Sequence, residues 1–170
     1  MSQPYARTTD TPDGPFSIVA GETAVIASGW TPDITALVAL IPAPIRPQLW
    51  CYGQSPVLDQ AAAALEAYYA GEPEAILVVP VTQPAGAFQQ RLRDALRAIP
   101  AGSTSTYAEL ASRAGSPRAT RAAGTACARN ATALFVPCHR AVRSDGGLGG
   151  FLYGLDIKRS LLARERDHLD

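Results

Sequence analysis

The feature that most restricts the fold is a change of pattern at Thr82-Gln83-Pro84-Ala85-Gly86. Before it, apolar residues come in short runs separated by turn residues; after it they recur at helical spacing. Charge changes sign at the same place. Residues 1–85 carry two bases, Arg7 and Arg46, against eight acids, a net −6, while residues 86–170 carry 13 bases against seven acids, a net +6. A chain of 170 residues is one full domain or two small ones. The break divides it into 1–82 and 83–170.

In the first part, Pro12-Asp13-Gly14-Pro15 is a turn, and Phe16–Ala20 with Thr23–Ser28 read as a hairpin. Ser55 as N-cap and Pro56 at the first helical position open a helix that presents Val57, Leu58, Ala61, Ala62, Leu65 and Tyr69 on one face and closes at Gly71. Residues 77–81 read as an edge strand because of Pro80. Residues 31–50 give no clear pattern. In the second part, Phe88, Leu92, Ala95, Leu96 and Ile99 form an amphipathic stripe ended by Pro100. Thr106-Tyr107-Ala108-Glu109 is a capping box for a helix through Arg113, stopped by Gly115. Ser116-Pro117 opens another helix, running to about Ala128. The expected class is α/β, more closely α+β: a small N-terminal antiparallel sheet with a helix, then a mostly helical C-terminal domain.

Composition, 47% hydrophobic and 18% charged, excludes disorder, collagen and coiled coil. No apolar run approaches the roughly 18 residues of a membrane span, and Met1–Tyr5 lacks a signal-peptide layout. Cys51, Cys127 and Cys138 form no Cys-x-x-Cys pair, which suits a reducing compartment and a cytoplasmic location.

The +6 half calls for an anionic partner, with phosphate backbone the commonest. Two helices joined by a tight Gly-containing turn, the second bearing Arg118, Arg121 and Arg129, read as a helix-turn-helix. After Arg121 come only Ala122, Ala123, Gly124, Thr125 and Ala126. Such a face approaches a groove closely and offers one long cation, which favours reading of shape over sequence. The same small residues also suit close helix packing.

Ala133–Val136 is an apolar run, expected as a buried strand, that ends in Pro137-Cys138-His139-Arg140. Pro137 stiffens the turn that delivers the Cys138 thiol. An adjacent base, His139, turns a thiol into a nucleophilic thiolate. Neighbouring side chains on a flat strand face opposite ways, so the pair needs a bend or a bridging water. Ile157, Leu161 and Glu165 share one helix face, which places a carboxylate where it orients the imidazole. Zinc is not expected, since only the distant Cys51, Cys127 and His168 could complete a site.

Pro137–Arg140, with the apolar run before it and Gly146-Gly147-Leu148-Gly149-Gly150-Phe151 after it, resembles the active-site signature of the O6-alkylguanine-DNA alkyltransferases. The likeness runs from about Phe88 to Glu165, and among bacterial members Arg143-Ser144-Asp145-Gly146 through Gly154-Leu155 is most similar to the C-terminal repair domain of the adaptive-response regulator. It implies a suicide repair protein that takes the alkyl group of O6-alkylguanine, and of O4-alkylthymine, from duplex DNA onto its own cysteine after base flipping, with no cofactor. It implies Cys138 as acceptor, His139 as base through a water, Glu165 as orienting acid and Asn130 as support of the active-site turn. Tyr107 becomes proton donor and phosphate contact, and Arg121 the finger that fills the vacated stack. Ser116, Arg118, Ala122, Thr125 and Arg140 fall at DNA-contacting positions. Val142, Gly149, Gly150, Phe151, Leu152 and Lys158 fall at the substrate pocket. The resemblance further implies a monomer that binds duplex DNA mainly through the minor groove and backbone, with little sequence specificity.

Four positions depart from that pattern. Ala131 and Ala141 stand where proline and valine are usual, which predicts looser packing, while Phe151 and Leu152 lack hydroxyls common there. The alternative class is a non-catalytic helix-turn-helix regulator or damage sensor, in which Cys138 is inert. A cysteine hydrolase is disfavoured by the lack of an oxyanion motif.

Overall fold

The computed structural model describes residues 2–168. Met1, where the reading of the N-terminus begins, and Leu169–Asp170, the end of the expected second domain, lie outside the described residues. The fold is mixed α/β, and the chain forms two compact units. One takes the chain up to Pro84 together with Ala131–Phe135; the other takes Ala85–Asn130 and the chain from Val136 onward. The expected division into two continuous segments is corrected by that excursion of Ala131–Phe135.

The first unit is built on a four-stranded sheet of order β3-β2-β1-β4, with β1 Tyr5–Thr11, β2 Gly14–Ala20, β3 Val25–Gly29 and β4 Cys51–Tyr52. The β1–β2 hairpin turns at Gly14, whose φ of +103° suits glycine, and Thr11 Oγ1 donates to the Gly14 carbonyl at 2.7 Å. Phe16 to Ala20 are all buried, as befits an inner strand, and β3 pairs beside them as the sequence predicts. Residues 31–50, unreadable from pattern, contain helix α1 (Ile34–Ala39), where Asp33 Oδ1 accepts from the Ala36 N–H at 3.1 Å. Helix α2 (Pro56–Tyr69) starts as predicted, with Ser55 Oγ accepting from the Leu58 N–H at 3.1 Å.

Two expected strands are absent as such. Pro73–Val78 is a 3-10 helix, and only the next few residues extend along β3: the Val25 N–H donates to the Pro80 carbonyl and the Thr82 N–H to the Val25 carbonyl, both at 2.9 Å. Pro80 has no N–H to continue a ladder. The apolar run at 133–136 is likewise a turn. Leu134 takes φ +73°, which interrupts any extended strand, so Thr132 and Ala133 pair only locally with Ser28.

The second unit carries helices α3 (Ala87–Arg97), α4 (Tyr107–Arg113), α5 (Thr120–Ala128) and α6 (Leu155–Asp167). A short parallel ladder joins β5 (Ser105–Thr106) to β6 (Ala141–Val142). The buried face of α3 is the predicted Leu92, Ala95 and Leu96. The α4 capping box forms: Thr106 Oγ1 accepts from the Glu109 N–H, and Glu109 Oε2 from the Thr106 N–H, each at 3.1 Å. At its end, Ser116 N–H donates to the Ala111 carbonyl and Gly115 N–H to that of Ser112, with Gly115 at φ +83°. This Schellman arrangement uses Ser116 to close α4, so α5 opens at Thr120 and not at Ser116 as the sequence suggests. No helix among the described residues is long and apolar enough to cross a membrane.

Candidate active site

The β5–β6 ladder organises the site. Ser105 pairs with Ala141 and Thr106 with Val142, so Tyr107, which follows β5, and the 3-10 turn Cys138–Arg140, which precedes β6, flank one two-stranded register. That turn supplies the bend a Cys-His pair requires. Cys138 is 7% exposed, while His139, Arg140 and Glu165 are fully buried.

Behind Cys138 lies a closed set of charge-assisted bonds. His139 Nε2 and Glu165 Oε1 are 2.7 Å apart. Arg140 donates from Nε to Glu165 Oε2 and from Nη2 to Glu165 Oε1, each at 3.0 Å, and from Nη1 to the Ile99 carbonyl at 2.8 Å. Burial alone would raise the Glu165 carboxyl, but the His139 and Arg140 bonds outweigh it and bring it down to about 2. Glu165 is therefore an ionised acceptor, which fixes the His139 proton on Nε2 and leaves Nδ1 as the basic nitrogen. Nδ1 is buried and has no hydrogen-bond partner among the described residues.

Arg140 overturns one expectation. A residue with no exposed surface and its guanidinium held by a carboxylate and a carbonyl cannot touch DNA; it is the counter-charge of Glu165. A ready-made thiolate is also corrected. Burial pushes the Cys138 thiol up, and the Asn130 amide and the Lys158 charge offset it only in part. Burial likewise pulls His139 below its usual range, more strongly than Glu165 lifts it. Thiol and imidazole both rest neutral, so the proton must move as the sulfur reacts.

Asn130 is buried beside this turn, its Nδ2 donating to the Val136 carbonyl at 2.8 Å and its amide within hydrogen-bond reach of the Cys138 sulfur. Lys158 is fully buried, and its Nζ donates to the carbonyls of Ala141 (2.7 Å), Leu148 (2.5 Å) and Gly150 (3.3 Å). One ammonium thus ties the strand after Cys138 to the glycine-rich loop. Lys158 also lies 6.0 Å from the centre of the Tyr107 ring. Tyr107 is half-buried, and burial pushes its phenol up to about 12, so it is a protonated donor at neutral pH. It abuts Gly149. Val142 and Phe151 are half-buried, Gly150 is exposed and Leu152 is 55% exposed. The Phe151 ring meets Tyr153 edge-on, with centroids 5.8 Å apart.

Tyr153 was not legible as a site residue, yet burial raises its phenol, and it lies near enough to Cys138 that a thiolate formed there would raise it further. Lys158, Leu161 and Glu165 share the buried face of α6, so a lysine at apolar spacing was the signal for the carbonyl clasp. The other expected DNA contacts form a separate group: Arg118, Arg121, Ala122 and Thr125 are exposed on or just before α5, and Ser116 is half-buried. Ser116–Ala119 line a surface depression of about 480 Å³. Of the unusual alanines, Ala131 and Ala141 are fully buried, and the Ala131 N–H, which proline would lack, donates to Gln83 Oε1 at 3.0 Å.

Residues 87–167 match the family described as 6-O-methylguanine DNA methyltransferase, DNA binding domain. The methylated-DNA--protein-cysteine methyltransferase of Mycobacterium leprae is 34% identical over 165 residues, covering 95% of this chain and 92% of that protein. The Escherichia coli bifunctional transcriptional activator/DNA repair enzyme Ada is 46% identical over 92 residues, 54% of this chain but only 26% of Ada, so the likeness spans about a quarter of that protein. The crystal structure of Mycobacterium tuberculosis OGT in complex with DNA superposes with a TM-score of 0.77 at 31% identity, covering 96% of this chain and 94% of that one.

Proposed function

The chain belongs to the O6-methylguanine DNA methyltransferase family, and from that membership we propose that it repairs DNA by moving an alkyl group from O6 of guanine, or O4 of thymine, to Cys138. The observation that carries this reading is the buried Arg140–Glu165–His139 network placed directly beside Cys138, a residue that keeps 7% exposure. A carboxylate that holds one imidazole tautomer leaves a base at Nδ1 whose task is to accept a proton. In the reaction Cys138 Sγ attacks the alkyl carbon, forming an S–C bond as the C–O6 bond breaks. The thiol proton passes to His139 Nδ1 through a water, and the departing guanine takes a proton from Tyr107. Tyr107 is reprotonated from His139, so the net transfer is from sulfur to guanine. The product is a thioether with no ready leaving route, so each molecule acts once.

The thiol cannot reach O6 in line inside a duplex, so the base must be flipped out. Exposed α5 suits this step: Ala122, Gly124 and Thr125 let its backbone approach a groove, Arg121 fills the gap in the stack, and Ser116 and Arg118 hold the backbone. Small side chains read no bases. This predicts binding mainly through the minor groove with little sequence preference, by a monomer acting in the cytoplasm, where three free cysteines persist. Val142, Gly149, Gly150, Phe151 and Leu152 form the wall for the flipped base, with Lys158 holding the loop.

Incubation with a duplex carrying one O6-methylguanine, followed by intact and peptide mass analysis, tests the proposal. One methylene-sized gain on Cys138, lost in Cys138→Ala with DNA affinity retained, is the expected result. Sequence-selective binding with no mass gain would make the protein a regulator instead.

A further inference from the structure

Gln83 lies outside the Cys138 turn, at the junction where the sequence pattern changes, yet both ends of its buried side chain are engaged on one short segment. Its Oε1 accepts from the Ala131 N–H at 3.0 Å, and its Nε2 donates to Thr132 Oγ1 at 2.5 Å. The backbone donor on Ala131 fixes which end of the amide is oxygen. Ser28 holds the same segment from the other side: its N–H donates to the Ala131 carbonyl at 2.8 Å, its Oγ to the Ala133 carbonyl at 2.8 Å, and its own carbonyl accepts from the Ala133 N–H at 3.2 Å. Gln83 is 7% exposed, Ser28 and Thr132 not at all. Every main-chain polar group of Ala131 and Ala133 named here is thus paired away from water, a costly arrangement to disturb.

The segment so held, Ala131–Ala133, follows Asn130 directly and leads through Leu134 and Phe135 into Val136-Pro137-Cys138. Asn130 closes the loop across its base by donating to the Val136 carbonyl, and Leu134 sits in a left-handed conformation between them. A non-glycine residue in that region persists only where its surroundings fix it. Ala131 has the N–H that a proline would not, and Gln83 is the group that takes it.

We propose that Gln83 is a positioning residue for the nucleophile: by fixing the Ala131 N–H and Thr132 it sets the main-chain course of Asn130, and so aims the Asn130 amide at the Cys138 sulfur. Loss of the aim removes a hydrogen bond that favours the thiolate, which slows every reaction of the sulfur at neutral pH. The inference draws its alkyl-transfer arm from the function proposed above; its thiol-reactivity arm does not.

The experiment compares wild type, Gln83→Leu, Gln83→Glu and Thr132→Val, each first shown to be folded by circular dichroism. Alkylation of Cys138 by iodoacetamide is followed from pH 6 to 10 and read at that cysteine by peptide mass, alongside single-turnover transfer from an O6-methylguanine duplex. Gln83→Leu is expected to lower both rates about tenfold at neutral pH, the effect of one lost buried hydrogen bond, and to displace the pH profile of iodoacetamide reaction upward. Gln83→Glu, which keeps an acceptor for the Ala131 N–H, restores the profile. A purely structural role would lower thermal stability and leave that profile in place. Should Gln83→Leu fail to fold, Thr132→Val, which removes the anchor of the Gln83 amide, must displace the profile in the same direction. A folded Gln83→Leu or Thr132→Val with the wild-type profile overturns the proposal. If wild type reacts with iodoacetamide as described but takes no alkyl group from DNA, the alkyl-transfer reading fails while this one stands.

Discussion

A methyl group on the Cα of Gly149 would lie 2.5 Å from the phenolic oxygen of Tyr107. Gly149 also has φ +74°, so two separate constraints exclude a side chain there. Gly149→Ala strains the backbone by about 1–2 kcal/mol and forces Tyr107 off its place. Transfer to Cys138 is expected to fall by at least about tenfold, because the proton donor is displaced. The thermal midpoint should drop only by about 4 °C. Single-turnover kinetics beside a melting curve separate the two effects. A variant with normal transfer would mean that Tyr107 is not held by this contact.

Stability should depend on pH through Glu165. Its folded pKa, about 2, lies below the ordinary 4.5, so the unfolded chain binds the proton first as pH falls. The stabilisation is complete above about pH 5 and is lost as pH falls toward 2; the shift is worth about 3 kcal/mol. His139, lowered by burial from an ordinary 6.5, adds a loss that starts already below about pH 6.5, since the unfolded imidazole charges first. Denaturant melts from pH 7 to 3 measure both slopes. Glu165→Gln removes the lower one and leaves the buried Arg140 without its counter-charge, at a cost of about 3–5 kcal/mol at pH 7. An unchanged acid limb in Glu165→Gln would show that another carboxylate carries it.

What the sequence discloses here is what local chemistry decides. Ser55, Thr106 and Glu109 predict their helix starts because a cap needs only residues three positions apart. Cys138, His139 and Glu165 could be grouped because a thiol wants a base and a buried carboxylate wants a partner. Arg140 was placed at a DNA-contacting position by the resemblance alone; its burial depends on the second Glu165 oxygen and on the carbonyl of Ile99, both distant in sequence. Ala133–Val136 looked like a strand because four apolar residues in a row do not reveal a left-handed Leu134 among them. The role of Gln83 was invisible for the same reason: its partners lie 48 and 49 residues away.

Among the described residues Lys158 donates to three carbonyls and pairs with no carboxylate, so it serves the loop as a donor. Lys158→Met keeps the stem and removes all three bonds, leaving the buried Ala141 carbonyl unpaired at about 1–3 kcal/mol, while water can reach the part-exposed Leu148 and Gly150 carbonyls. Amide exchange of Gly149 and Gly150 should quicken, and transfer from free O6-methylguanine base should fall along with transfer from DNA. A loss confined to DNA substrates would instead assign Lys158 to the nucleic acid.

Arg121 gives the opposite pattern. It is exposed on α5 and is given no part in the thiol chemistry, so its contribution belongs to extracting the base from the duplex. Flipping costs a few kcal/mol, and a side chain that replaces the base in the stack offsets part of that. Arg121→Ala is therefore expected to slow transfer from duplex DNA by about tenfold or more, and to leave reaction with the free base within about twofold. Lesions opposite a mismatch, already partly unstacked, should show a smaller loss. The ratio of duplex to free-base rates for wild type and variant tests this directly; equal slowing on both substrates would place Arg121 in the chemistry instead.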